Sequence, residues 1–244
     1  MSIRRWGLAL IAVFGWVSAG VAAELVVIDS TVPRLAPGQV VDSTKPLNLA
    51  PGARLSLVGE DGKVIRLQGP YAGLPVSGAD AGPQNNGVVR ALSRLFSPNH
   101  PQDSTWGTFR GAETLRGDEA VNPPDVWALN VLRSETACLP PGGGPVLWRP
   151  HAETQLEVIL LHLSTGREAT VTFSPGETTA AWPAEVPILD GGVYVIRDVP
   201  NQWERRLLVR LIPLDRGNAV EQAAWMSDMG CIRQAKALVS QLSS

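Results

Sequence analysis

Residues 35–70 read LAPGQVVDSTKPLNLAPGARLSLVGEDGKVIRLQGP, and this stretch sets the fold class. Leu-Ala-Pro-Gly stands at Leu35–Gly38 and again at Leu49–Gly52, fourteen residues apart. A Pro-Gly pair marks a turn, because proline presets φ and glycine accepts the positive φ that follows. The turns set off short runs, Gln39–Asp42 and Ala53–Val58. In the second run Leu55 and Leu57 alternate with Arg54 and Ser56, the period of a half-buried strand. Glu60-Asp61-Gly62 is a hairpin signal, and Val64, Ile65 and Leu67 form the returning arm before Gly69-Pro70. Upstream, Glu24–Asp29 (ELVVID) is rich in β-branched residues and is followed by a Ser-Thr-Val-Pro turn, so it reads as a further strand.

This succession of a Pro-Gly turn, a small apolar strand, a second Gly turn, a strand, an Asp-Gly turn and a strand resembles the FecR-like periplasmic β domain. The resemblance covers about fifty residues and is carried by turn spacing. It implies a small β domain over 24–72 that works by binding in the envelope. FecR-type sigma regulators also carry a cytoplasmic segment and a membrane span. Neither is read here, so their transmembrane signalling role does not carry over.

Residues 1–23 have the three parts of a secretory leader. Arg4 and Arg5 give a positive start, Trp6–Val17 is apolar, and Val21-Ala22-Ala23 is a small-residue cleavage site. The apolar run is shorter than the ~20 residues of a membrane-spanning helix. The expectation is export, with cleavage near Ala23 and a periplasmic or secreted location. Loss of Arg4 and Arg5 leaves 19 basic against 23 acidic residues. No basic excess argues for nucleic acid, and no polybasic block argues for an anionic membrane surface. No other stretch reads as transmembrane.

The 20 prolines and 24 glycines exceed the ordinary share and imply many turns between short strands. Residues 73–124 read as a linker interrupted by a short helix over 87–96. There Val88, Val89, Leu92 and Leu95/Phe96 face one way, Arg90 and Arg94 the other, and Ser97-Pro98 ends it.

A second β pattern fills 125–215. Its strands are Val126–Leu132, with Trp127, Leu129 and Val131 on one face, then Val146–Arg149, Gln155–Leu163, Ala169–Phe173, Thr178–Trp182, Val193–Arg197 and Arg205–Ile212. About seven short strands with turns between them imply an immunoglobulin- or fibronectin-like β sandwich. The fold class is therefore mainly β: a small FecR-like domain, then an Ig-like sandwich with a C-terminal α-helix.

Residues 216–244 are read as helical. Asn218 is in N-cap position with Glu221 three residues on. Gly230 marks a break. Beyond it Cys231, Ala235, Leu238 and Leu242 make an apolar stripe, with Arg233, Gln234, Lys236, Ser240 and Gln241 read as the polar side. In an exported chain the two cysteines, Cys138 and Cys231, are expected to pair and to staple this helix to the sandwich as a lid on an open sheet edge or face.

Chemistry is sparse. The three histidines, His100, His151 and His162, show no zinc-ligand spacing, and His162 sits inside an apolar strand. No nucleophile elbow occurs. Gly142–Gly144 leads into a strand, whereas a phosphate cradle wants a helix N-terminus. Carboxylates such as Asp118/Glu119 and Glu185 with Asp190 fall in turns. No catalytic residue, metal or cofactor is expected. Six of the eight tryptophans lie beyond the leader. Trp127, Trp148 and Trp182 are read as core, while Trp106 and Trp203, in polar contexts, are the candidate ligand contacts. The expected function is a non-catalytic binding or adaptor module for an envelope protein or a peptidoglycan-type glycan. The alternative is an envelope enzyme such as a glycan hydrolase, whose carboxylates meet only in the fold.

Overall fold

A computed structural model describes residues 23–75, 87–97, 122–140 and 142–243. Residues 1–22, expected to be a leader, His100, Trp106, Asp118/Glu119 and most of the segment 73–124 lie outside the described residues.

The N-terminal strands are β1 (Glu24–Ser30), β2 (Val40–Asp42), β3 (Leu47–Leu49), β4 (Arg54–Gly59), β5 (Val64–Gln68) and β6 (Tyr71–Gly73). The first sheet runs β2-β1-β4-β5, with β3 and β6 paired separately, and every pairing is antiparallel. β4 and β5 are the two arms of the hairpin read at Asp61-Gly62. Gly38, from the first Leu-Ala-Pro-Gly, has φ 87°, and a Cβ there would come 2.8 Å from Phe96 Cβ. Only glycine fits that turn against the neighbouring helix.

β1 is apolar without alternation because both of its faces are covered. Leu25 and Val27 join Leu47, Leu49, Leu55 and Leu57 in one core. Val26 and Ile28, with Val58, face the helices. These are α1 (Gly87–Leu95), α2 (Ala219–Asp228) and α3 (Ile232–Ser243). Their core takes Val89, Leu92 and Leu95 from α1, Val220, Ala223 and Met226 from α2, and Ile232, Ala235 and Val239 from α3. Val126, Cys138 and Ile212 from the C-terminal half join the same cluster. The helices thus form a layer with the N-terminal sheet on one side and the sandwich on the other, more than the lid on a sheet edge that the sequence implies.

The sandwich contains β7 (Ala128–Asn130), β8 (Glu135–Leu139), β9 (Val146–Trp148), β10 (Leu156–His162), β11 (Glu168–Phe173), β12 (Thr179–Ala181), β13 (Val193–Asp198) and β14 (Trp203–Leu211). A large five-stranded sheet runs β11-β10-β13-β14-β8, and a small three-stranded one runs β12-β9-β7. The protein is mainly β. The strand missing from the sequence reading is β8. It is held by parallel pairing with β14, Leu207 opposite Glu135, and so distant a partner leaves no local period. The first strand is also corrected. Only Ala128–Asn130 pairs, because side-chain turns bracket it: Trp127 N–H donates to Asp125 Oδ1 and Leu132 N–H to Asn130 Oδ1. Leu129 and Val131 enter the sandwich core, whereas Trp127 packs on the helical core.

Within the sandwich Tyr194 is fully buried, and its hydroxyl donates to Pro187 O at 2.7 Å and accepts from Leu189 N at 2.9 Å. This bond back to upstream backbone is the tyrosine corner of immunoglobulin-type sandwiches. Trp182 meets the ring edge-on at 4.9 Å and donates its indole N–H to Val186 O. Trp148 is buried as read, and His162 is a packed strand residue beside the Tyr194 ring.

Helix docking is carried by side chains that the sequence reading assigned to the polar face of the C-terminal helix. Arg233 and Gln234 are buried. Gln234 Oε1 accepts from Cys138 N at 2.7 Å, and its Nε2 donates to Cys138 O and Val126 O. One amide side chain thus stands in for a neighbouring strand along β8. Arg233 pairs bidentately with Glu135, at 2.9 and 3.0 Å, and Arg133 approaches the same carboxylate at 3.9 Å. The Cys138–Cys231 disulfide closes the same junction. A helix packed against a strand edge meets unpaired backbone, so its buried face there must be polar, which is why Arg233 and Gln234 point inward and not to solvent.

Candidate functional site

The hairpin between β13 and β14 forms the tip of the large sheet. Asp198 and Trp203 face each other as its last pair. Four residues, Val199–Gln202, make the turn. Asp198 is 2 % exposed and holds the turn from inside: Oδ1 accepts from Asn201 N at 2.9 Å and Oδ2 from Asn201 Nδ2 at 2.8 Å. A carboxylate committed to two donors within its own hairpin holds the loop in one arrangement. Gln202 has φ 56°, in the left-handed region that usually falls to glycine or asparagine.

The turn exposes an apolar pair, Val199 and Pro200, beside two polar residues, Asn201 and Gln202. Val199 is 63 % exposed and Pro200 is exposed beside it. Trp203 is half-buried, packing partly on the sandwich core. The Arg205 guanidinium carbon lies 5.5 Å from its ring centroid, and Arg205 Nε donates to Leu132 O at 2.7 Å. This anchors the tip to the β7–β8 turn, where Arg206 N–H also reaches Ser134 Oγ. Trp203 therefore braces the tip and shows solvent only part of its surface. Val199, Pro200 and Gln202 are exposed tip residues that sequence reasoning passed over. The available signal was Asp198 three residues before Asn201, an Asx-type turn pattern. Trp106 lies outside the described residues.

A shallow recess of about 310 Å³ lies between the N-terminal sheet and α1, lined by Glu24, Val40, Val89, Arg90, Ser93 and Arg94. Two of its polar side chains have partners: Arg94 pairs with Asp228 at 2.7 Å, and Ser93 Oγ donates to Gly38 O. Beside it Glu60 caps α1, accepting from Val88 and Val89 N–H. Burial holds the Glu60 carboxyl above its usual value. The two N–H groups and Arg90 oppose that shift, and Glu24 adds to it. Burial also pushes the Tyr194 phenol up, while hydrogen bonds from Thr44 pull Asp42 down. These groups cap and pack, and none of them lies at the hairpin tip. Asp190 is likewise occupied, accepting from Leu211 N. Among the described residues no cluster of three or more His, Cys, Asp or Glu is placed to hold a metal. No helix there is long and apolar enough to cross a membrane.

No family model matches the chain, and no curated protein or solved structure is significantly similar to it.

Proposed function

We propose that this chain is an exported, non-catalytic binding or adaptor module of the cell envelope, with an N-terminal FecR-like β domain. Its sandwich tip engages an envelope protein or a cell-wall glycan. The observation that carries the reading is the hairpin Asp198–Trp203: it presents Val199 and Pro200 beside Asn201 and Gln202, is locked by Asp198 from within, and is braced by Arg205. A surface ordered in advance loses little entropy on binding, which is how loop ends of sandwich domains serve as contact sites. The intramolecular disulfide accords with an oxidising compartment.

The test is cross-linking in intact cells, followed by purification and mass spectrometry of what is retained. The expected result is one dominant partner, protein or glycan fragment, linked through 199–203 and lost on Val199→Asp. Retention unchanged by Val199→Asp and by Trp203→Ala would remove the tip from the reading. Turnover of an envelope glycan, abolished by a single carboxylate change, would overturn the non-catalytic assignment.

A further inference from the structure

β11 is the last strand of the large sheet and is bonded to β10 on one side. Hydrogen bonding alternates along an antiparallel pair, and here its phase is set where His162 N–H donates to Arg167 O. Residues 167, 169, 171 and 173 therefore turn N–H and C=O toward β10. Glu168, Thr170 and Thr172 turn theirs away from it. Among the described residues no backbone group meets them there. The side chains of all three are exposed. The edge thus offers solvent three donors and three acceptors, centred on Thr170.

Proteins ordinarily guard such edges with short strands, charge, proline or a bulge. The other margins follow that rule. β2, β7 and β12 are three residues long. β5 follows Lys63 and carries Arg66. β8, at the opposite margin of the large sheet, is covered by Gln234. β11 runs six residues, Glu168–Phe173, with no proline, glycine, lysine or register shift, and Thr170, Val171 and Thr172 are β-branched.

We infer that β11 pairs antiparallel with β11 of a second copy of this chain, about a two-fold axis at Thr170, joining the two large sheets edge to edge. Residue 168 of each copy then bonds with 172 of the other, and 170 with 170. That register uses all six groups and no others, and it selects a second copy as occupant because the edge is complementary to itself. An axis at 169 would set Thr172 against Gly166, whose N–H is given to His162 O. An axis at 171 would set Glu168 against Ser174, whose C=O accepts from Glu177 N and whose N–H donates to Glu177 Oε2. Side chains agree with the axis at Thr170. Glu168 comes opposite threonine, with no like charge facing it, and Thr170 meets its own copy in a favourable cross-strand pair. A six-residue strand is about 20 Å long and a sheet about 10 Å deep, so about 200 Å² per copy is covered, a quarter of a standard interface. The dimer is accordingly weak and concentration-dependent. β10 separates β11 from the strands of the hairpin tip, so the inference does not rest on the proposed binding role.

The test is sedimentation velocity of the purified chain from ~10 µM to ~1 mM, a range suited to a weak interface. Thr170→Pro removes the central N–H, which β10 does not use, and should weaken association at least about tenfold. Thr172→Glu sets two glutamates opposite each other twice and should weaken it about threefold or more. Adding Glu168→Lys makes both contacts attractive and should restore the dimer. The changed side chains are exposed, and far-UV circular dichroism checks that each variant folds. A monomer at every concentration would overturn the inference and leave this edge to a strand of another protein. So would a dimer indifferent to Thr170→Pro, or a double variant no tighter than Thr172→Glu alone.

Discussion

Gln234 offers the sharpest test of how the two halves are joined. Replacing it with leucine keeps approximate volume and removes three hydrogen bonds, those with Cys138 N, Cys138 O and Val126 O. Gln234 is 1 % exposed, so water does not substitute. A buried polar group left unpaired costs about 1–3 kcal/mol, and three such groups less the gain from a buried leucine come to about 4 kcal/mol. For a chain of this size that is a fall in Tm of about 10 °C. Urea unfolding followed by circular dichroism reads the change. Gln234→Glu adds a pH signature. A glutamate there keeps an acceptor for Cys138 N–H, but when ionised it faces two carbonyl oxygens. Its folded-state pKa would lie above the unfolded one, so the variant's deficit is present at neutral pH and shrinks as pH falls through that folded value. A loss under about 1 kcal/mol for Gln234→Leu, or a pH-independent deficit for Gln234→Glu, would refute the strand-edge role.

Reducing the disulfide, or replacing Cys138 and Cys231 together by alanine, opens a loop of 93 residues and should cost about 4–5 kcal/mol by chain entropy, read as a lower urea midpoint. Arg233→Ala strands Glu135 with only the distant Arg133 and should cost about 3–5 kcal/mol in the same assay. Gln202→Gly relieves a left-handed backbone at an exposed turn and should raise stability by about 1 kcal/mol, with the tip otherwise unchanged. Glu60 holds its proton more tightly folded than unfolded, so its contribution is most favourable below the ordinary value of 4.5 and declines as pH rises through the raised one; Glu60→Gln should flatten that part of the stability-against-pH curve.

Local pattern determined the elements whose cause is local. The two Leu-Ala-Pro-Gly turns, the Asp61-Gly62 hairpin and the short helix at 87 follow from turn chemistry and apolar period, which act over a few residues. So does the Asn218 cap, which accepts from Glu221 N at 2.8 Å. The Cys138–Cys231 pairing followed from an even count and an expected oxidising compartment. Trp203 could be picked from its polar context, but its brace could not, because Arg205 and Leu132 meet only when β7, β8 and β14 assemble. β8 became a strand by pairing with a partner some seventy residues later. Arg233 and Gln234 carry the hydrophilicity of a solvent face. Only the tertiary structure decided that their solvent would be a carboxylate and a strand edge, because whether a polar side chain is satisfied by water or by backbone depends on what packs beside it. The same holds for the margin of the large sheet. Glu168, Thr170 and Thr172 belong to a strand like any other in the sequence, and sheet order alone leaves their backbone groups without a neighbouring strand.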